Sequence, residues 1–275
     1  MKKNDTNSII FSLIGCTLLL YPILIVWDIG YRGIHLLNLD FILGTPANFG
    51  KSGGIFTVTF STMVVVSVSI LISIPFSIFL ALYISLVKSS FQNLIDIAID
   101  ILAGIPSILF GMFGFSVFVI ELRLGWSILS GALTISFMLM PLLTKLITAS
   151  IRAIPSEYRE EAFMSGASDW QYYYLICFPL ILWTIVASTL LSIRRVAGET
   201  AVLLMTVGSS LIFPRSLLDS ARPMSIHIFI LAKDGISYDQ AFGTALVLLI
   251  FVSLANMIGT IIVRYHHNNM IIGSG

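Results

Sequence analysis

The sequence predicts an all-α membrane protein with six transmembrane helices. Hydrophobic residues make up 57% of its 275 residues and charged residues only 11%, whereas soluble domains usually carry about 25% charged residues. The apolar residues are gathered in six runs, each long enough to supply the roughly 20 residues that a helix needs to cross a bilayer. Helices and closed barrels alone satisfy their backbone hydrogen bonds within lipid, so we expect each run to be a helix.

The six predicted spans follow one another along most of the chain. They comprise residues 9–27, 55–86, 97–120, 128–146, 179–200 and 241–263. The second is longer than a span requires and contains Pro75, which predicts a kinked or tilted helix. A shorter apolar run at 201–214 cannot cross the bilayer, and we interpret it as a re-entrant or surface-packed segment.

The first run has features of a secretory signal, because Lys2 and Lys3 precede it and LIGC at 13–16 is similar to a lipoprotein cleavage box. However, the apolar stretch before Cys16 is too short for a signal core. The run also continues beyond that cysteine through LLLYPILIVW. We therefore expect a retained N-terminal anchor helix.

Charge and composition exclude several classes of function. The net charge of +1, from 15 basic and 14 acidic residues, offers no basic surface for nucleic acid. Cys16 and Cys177 form no CxxC and join no His/Cys cluster at metal-ligand spacing, so neither a disulfide framework nor a metal site is expected. The four histidines belong to no His/Asp/Ser grouping. We expect no enzyme activity and no cofactor.

A charged segment separates the fourth and fifth predicted spans. Acidic residues fill the first turn of SEYREEAFMSGAS at 156–168, and Gly166 stands where a helix would stop. Both features suit a helix, through its dipole and its preference for a C-terminal glycine. Ser168 can cap a second helix. The pattern predicts a helix, a glycine turn and another helix.

The first of these helices has an apolar stripe on one face, formed by Tyr158, Ala162 and Phe163. Outside the bilayer, such a stripe flanked by charge suits a groove on another protein. The alternative is an interfacial loop whose aromatic rings lie at the headgroup level.

The spacing in this segment resembles the signature of ATP-binding-cassette importer permeases: Glu-Ala-Ala, three residues, Gly, nine residues, then Ile-x-Leu-Pro. Its positions are filled here by Glu160, Glu161, Ala162, Gly166, Ile176, Phe178 and Pro179, with Glu161 and Phe178 departing from the family pattern. The resemblance implies a cytoplasmic segment that inserts into a cleft of an ATPase subunit. The residues implied in that coupling are Arg159, Glu160, Glu161, Ala162, Phe163, Gly166 and Ala167.

The resemblance also implies the orientation, which the positive charges do not decide. With both termini on one side, the basic residues divide into seven on that side and eight elsewhere. A cytoplasmic segment at 156–179 places both termini in the cytoplasm. The implied domains are an anchor helix with an external loop (1–54), a transmembrane domain with a five-helix MetI-like type I importer core (55–265) and a cytoplasmic tail (266–275). Because the chain has no GxxxxGK[ST] loop, ATP would be hydrolysed by a partner.

Three further stretches resemble the phosphate-specific permeases of the PstA type. They are AGIPSILFGMFG at 103–114, RRVAGETAVLL at 194–204, and LDFILGTP with SGGI at 39–46 and 52–55. This resemblance implies an ATP-driven phosphate importer of a bacterial or archaeal plasma membrane. The implied partners are a second permease of the PstC type, an ATPase dimer and an external phosphate-binding protein. A permease for sulfate, molybdate or phosphonate remains an alternative, as does a secondary transporter driven by an ion gradient.

A polar stripe lies along the fifth predicted span. At about 100° per residue, one arc of about 80° contains Thr184, Ser188, Ser192, Arg195 and Glu199. An arginine inside a span usually faces a cavity or a partner, and guanidinium matches phosphate oxygens. We expect an i,i+4 ion pair between Arg195 and Glu199. With the resemblance, the phosphate path is predicted to include Arg195, Glu199, Arg194, Ser192, Ser188 and Ser107; arginines that snorkel to the outer interface are the alternative.

The third predicted span is interrupted by Gly104, Pro106 and Gly111. Such a break can leave a half-helix N-terminus that favours an anion, but small residues more often allow helices to pack closely, which we expect here. Asp96 and Asp100, one turn apart, are interpreted as the interfacial start of this span, with a proton relay as the alternative.

Overall fold

Helices form nearly all the regular structure of the computed structural model, which describes residues 3–86 and 90–272. In chain order they are α1 Lys3–Gly33, α2 Leu39–Leu43, α3 Phe56–Leu86, α4 Ser90–Gly104, α5 Ser107–Gly114, α6 Ile128–Arg152, α7 Ser156–Met164, α8 Asp169–Tyr172, α9 Phe178–Ala197, α10 Ala201–Thr206, α11 Met224–Lys233 and α12 Tyr238–Ile272. Short 3₁₀ turns at Ile34–Leu36 and Asn48–Gly50 and π-helical segments at Phe115–Glu121 and Tyr173–Cys177 join them. Two antiparallel strands, β1 Pro46–Ala47 and β2 Ser52–Gly53, complete the fold. The predicted all-α class is confirmed.

Five stretches among the described helices are long and apolar enough to cross a membrane. They are Ile14–Leu36, Phe56–Ser85, Ile128–Arg152, Asp169–Ala197 and Tyr238–Ile261. A sixth span exists only as a bent pair, Phe91–Gly104 and Ser107–Glu121, whose axes differ by 101°. The prediction of one span over 97–120 is therefore wrong in shape. Pro106 lacks an N–H group and disfavours helical geometry in the residue before it, so the helix ends at this point.

The centre of the bundle is built from α3, α6 and α9, with α10 and α11 packed against them. Small residues let α3 and α6 approach closely: the Ser136 hydroxyl donates to the Ser69 carbonyl at 3.0 Å. Large apolar side chains fill the remaining volume, among them the fully buried Ile135 and Leu139. This is the packing expected where lipid gives helices no hydrophobic reason to associate.

The apolar run at 201–214 enters this bundle and is not packed on its surface. It begins with α10, where Val202 and Leu203 are buried against α5 and α6. The backbone N–H of Ser127, the N-cap of α6, donates to the Thr206 carbonyl at 3.1 Å. The re-entrant interpretation is therefore the better one, and the loop that follows α10 closes one end of the bundle.

The two ends of the molecule have different structures. One end holds the start of α6, the loop after α10, α11, the start of α12 and the segment 34–55, in which Gly50 covers His227. At this end Gly33 of α1 lies against Phe242 and Leu246 of α12. The other end holds α7 and α8, about 35 Å away along the 25 residues of α6. We call these the α11 end and the α7 end.

Candidate coupling segment and polar stripe

The predicted helix, glycine turn and helix are present at the α7 end. Helix α7 ends at Met164, and Gly166 adopts φ +80°, a left-handed conformation that suits glycine. The backbone N–H of Ala167 donates to the Ala162 carbonyl at 3.0 Å. Ser168 then begins α8 through a capping box with Gln171. The sequence signals at these positions are local, which is why the geometry follows them closely.

The predicted apolar stripe on α7 is wrong in part. Ala162 is buried within the chain itself, in a cluster that also contains Ile151 and Tyr173. Phe163 turns to the Tyr172 ring, with 6.0 Å between the ring centroids. Tyr158 and Phe163 remain partly open to an outside partner, at 48% and 38% exposed. The inner face of α7 is thus used to fix the segment onto the bundle.

The outer face of the segment is acidic and apolar. Glu160 and Glu161 are exposed, as are Met164 and Trp170, at 80% and 72%. Arg159 is held back from this face, because its guanidinium lies 5.4 Å from the Phe163 ring centroid and 3.8 Å from Asp169. A groove of about 450 Å³ runs beside them, lined by residues that include Tyr158, Glu161, Gly166 and Gln171. Glu161, the departure from the family pattern, therefore lies at the rim of a groove.

The serines of the predicted stripe are packed inside the bundle. Ser188 and Ser192 are 4% and 0% exposed. Their hydroxyls donate to the carbonyls of Ile185 and Ser188 within α9. Thr184 accepts a hydrogen bond from Ser150 of α6 at 2.9 Å. In this arrangement the hydroxyls satisfy one another and the backbone, and they face protein.

The end of α9 separates the two arginines from Glu199. Arg194 and Arg195 are exposed in the last turn, where cations suit the helix dipole. The helix ends at Ala197 with Gly198 as its C-cap, so Glu199 falls outside the helical register. The predicted ion pair between Arg195 and Glu199 is wrong: no such pair occurs in the part of the chain that the structure describes. The Glu199 carbonyl instead accepts from Ser225 of α11.

The small residues of the interrupted span differ in their contacts. Gly111 lies against α10, where a Cβ would be 3.1 Å from Val202 Cα, and Gly114 lies against Thr134 of α6. The expectation of close helix packing is confirmed at Gly111, and Gly114, which was not part of that prediction, packs in the same way. Gly104 has open space around it and belongs to the bend. Ser107, partly exposed, is the first residue of α5.

Asp96 and Asp100 pair with cations of α6. Asp96 accepts from Arg152 at 2.9 Å, and Asp100 lies 2.6 Å from Lys145. All four side chains are at least one third exposed. The geometry favours the interfacial interpretation, because both carboxylates serve to attach α4 to α6.

Two buried basic residues at the α11 end were not identified from the sequence. Arg222 and His227 are 8% and 1% exposed. Burial, and then the charge of Arg222, lower the pKa of His227 to about 4. Burial likewise lowers the pKa of Arg222, with Asp234 acting in the opposite direction. The available signal was an arginine directly before Pro223 and a ten-residue apolar helix. No group of three or more His, Cys, Asp or Glu that could hold a metal occurs among residues 3–86 and 90–272.

Most of the chain matches the model of one known protein family. Residues 73–272 match the family described as binding-protein-dependent transport system inner membrane component. The chain belongs to this family. It is accordingly an importer permease subunit, an integral membrane protein of ATP-binding-cassette transport, and the family is not the catalytic component of such systems.

Relatives of this importer permease cover between 65% and 96% of it. A probable ABC transporter permease protein YqgI of Bacillus subtilis is 25% identical over 96% of this chain and 98% of its own length. The phosphate transport system permease protein PstA 1 of Mycobacterium tuberculosis is 27% identical over 77% of this chain and 71% of its own. PstA of Haemophilus influenzae is 31% identical over 65% and 64% of the two chains.

Solved structures show the same importer permease fold. A chain of a bacterial alginate ABC transporter, in complex with a periplasmic protein bound to alginate pentasaccharide, has a TM-score of 0.69 at 18% identity, covering 96% of this chain and 98% of its own. A chain of the inward-facing MetNI methionine ABC transporter has a TM-score of 0.60 at 14% identity, covering 77% and 94%. These likenesses support the type I importer architecture.

Proposed function

We propose that the chain is the transmembrane permease subunit of an ATP-driven importer of inorganic phosphate. The observation that carries the proposal is the pair of exposed guanidinium groups, Arg194 and Arg195, at the end of a span whose other end joins the α7 segment. Planar guanidinium groups bind phosphate oxygens in a bidentate manner. Relatives named as phosphate transport permeases support phosphate as the cargo.

Force would reach the arginines through one continuous helix. The span Asp169–Ala197 has 29 residues and so reaches about 40 Å, from the glycine turn to the last turn of α9. A partner that moves the α7 segment therefore moves both ends of this span, and α6 on the other side of the segment moves with it. The exposed Glu160 and Glu161 and the groove beside them form the surface for an ATPase partner.

The complete transporter would contain a second permease of the PstC type, an ATPase dimer and an external phosphate-binding protein. The α7 end would face the cytoplasm together with both termini, and the α11 end would face the binding protein, in a bacterial or archaeal plasma membrane. Closure of the ATPase dimer would then act on α6 and α9. Phosphate would pass Arg195 on its way inward.

Reconstitution tests this proposal. The four-component transporter in vesicles should accumulate phosphate when ATP is supplied, and the chain alone should transport nothing. Arg195→Ala should lower uptake by at least about tenfold, the value expected when a charge-assisted hydrogen bond is lost, while the complex still assembles. Arg215→Ala removes an exposed arginine of the loop after α10 and serves as the matched control.

The outcomes separate the parts of the proposal. Normal uptake by Arg195→Ala would contradict the role of that residue. A preference for sulfate, molybdate or phosphonate would replace the cargo and leave the permease role in place. Uptake by the chain alone, driven by an ion gradient, would contradict the coupling to ATP.

A further inference from the structure

A buried cationic site lies at the start of α11 and belongs neither to the polar stripe nor to the α7 segment. Arg222 precedes the helix and is 8% exposed, and His227 in its first turns is 1% exposed. The Arg222 Nε donates to the Ser209 carbonyl at 2.8 Å. Its Nη1 atom and the His227 Nδ1 atom are both buried without a hydrogen-bond partner among the described residues.

The charge of Arg222 is not neutralised by contact with a carboxylate. Asp234 influences its pKa, but no acidic side chain within residues 3–86 and 90–272 lies within ion-pair distance of its guanidinium. Its other charged or titratable neighbour is His227, which is neutral at pH 7. A buried cation without a counter-charge is strongly unfavourable. Binding of an anion beside Arg222 would therefore be favourable.

The surroundings give the site walls and an adjoining space. Gly50, at φ +93°, lies so close to the imidazole that a Cβ there would be 2.6 Å from His227 Cε1. On the other side, Ser209 both accepts from Arg222 and lines a cavity of about 390 Å³ with Trp126, Leu204 and Gly208. The segment 34–55 thus covers the imidazole, and the guanidinium is joined through Ser209 to the wall of a neighbouring cavity.

We propose that Arg222 and His227 form a buried binding site for a small inorganic oxyanion. The Arg222 Nη edge would supply the charge and one or two parallel N–H donors, which match the oxygens of an oxyanion. The Nδ1–H tautomer of His227 would supply a further donor from the opposite side. The site is separate from Arg195, and it does not depend on which anion the transporter imports.

Anion-dependent thermal unfolding of the purified permease chain at pH 7 and constant ionic strength tests the site, in an Arg194→Ala/Arg195→Ala background that removes the proposed path site. Inorganic phosphate and sulfate should each raise the Tm of this background protein in a saturable manner, because an anion that binds only the folded state stabilises it. Arg222→Met should abolish this response and raise the Tm measured without anion, since it removes an unpaired buried charge. Arg215→Met, which removes an exposed arginine seven residues earlier, should leave both measurements unchanged.

Two further variants, made in the same background, keep the assignment testable if Arg222→Met does not fold. Arg222→Lys keeps the charge but loses the fork of donors, and His227→Gln removes the imidazole donor; each should raise the concentration of half-saturation about tenfold, as expected when a charge-assisted hydrogen bond is lost. A saturable response in Arg222→Met, a response to chloride alone, or none in the background protein would each overturn the proposal.

Discussion

Single glycines hold α5 at its distance from α6. Gly114 touches the side chain of Thr134 so closely that a Cβ cannot fit without a shift of one helix, whereas Gly104 has open space around it. The sequence prediction named Gly104 but not Gly114, and nothing in the sequence distinguishes a glycine that makes a contact from one that does not. Which glycine is a contact depends on which neighbour the fold brings to it.

Gly114→Ala should destabilise the protein by about 1–3 kcal/mol, the usual cost of overpacking a well-packed site. Gly104→Ala is its control and should leave the free energy of unfolding unchanged or slightly raised, because its conformation tolerates a Cβ and the change restricts the unfolded chain. Thermal unfolding in detergent measures both. Equal effects of the two substitutions would contradict the contact.

The end of α9 shows where a residue-level prediction failed. The helical spacing that placed Glu199 beside Arg195 assumed that the helix continued to residue 200. The helix instead ends at Ala197, with Gly198 as its C-cap. Glycine after the last turn is a stop signal that the sequence displays. The two arginines were predicted to lie within the fifth span, and they are exposed in the last turn of its helix. Arg222 and His227 were not identified from the sequence, because only the fold shows that they are buried.

The helix α4 is attached to the bundle by charge. Its contacts with α6 include the pairs Asp96–Arg152 and Asp100–Lys145, and its apolar side chains Phe91, Leu94 and Ile97 are exposed. The ion pairs give the two aspartates a structural role in attaching α4 to α6. It also links α4 to the residue, Arg152, that ends the helix leading into the α7 segment.

Reversal of one ion pair tests this attachment. Asp100→Lys and Lys145→Asp should each lower the free energy of unfolding, and the double variant should recover most of the loss. The coupling energy should be about 0.2–1 kcal/mol, as for other exposed pairs, and it should fall as salt is added. A double-mutant cycle followed by thermal unfolding gives this value. Strict additivity of the two single changes would show that the carboxylate and the amine do not interact.

At the scale of elements, local signals were the most reliable. The proline of α4–α5 marked the break, and the glycine and serine of the α7 segment marked its turn and cap. The 101° bend could not be predicted, because its angle depends on α6, to which α4 is attached. Likewise the short run at 201–214 was correctly excluded as a span, but only the fold shows that it enters the core.

For the whole molecule, the two ends should lie on opposite sides of the membrane. Ser165 at the α7 end and Ser216 at the α11 end are both exposed. In a Cys16→Ser background, where Cys177 is fully buried, Ser216→Cys should react with a membrane-impermeant maleimide in intact cells. Ser165→Cys should react only after the membrane is opened. The reverse pattern would invert the proposed orientation.

Composition and the length of the apolar runs were sufficient to predict the all-α membrane class, because few structures satisfy the backbone hydrogen bonds within lipid. They do not reveal which apolar surfaces lie against lipid and which against another subunit. Exposed side chains such as Leu71, Phe79 and Ile101 suit either neighbour. Apolar side chains are suited equally to lipid and to another subunit. The partner's own surface therefore determines which of them it contacts.

The contact of α1 with α12 joins two helices that lie far apart in the chain. While the chain is being synthesised, α1 has to reside in the bilayer without this contact until residues 238–261 emerge. The most apolar window of its span has none of its residues buried even in the finished fold. It is therefore suited to stay in lipid, and its docking through Gly33 has to follow the synthesis of Phe242 and Leu246.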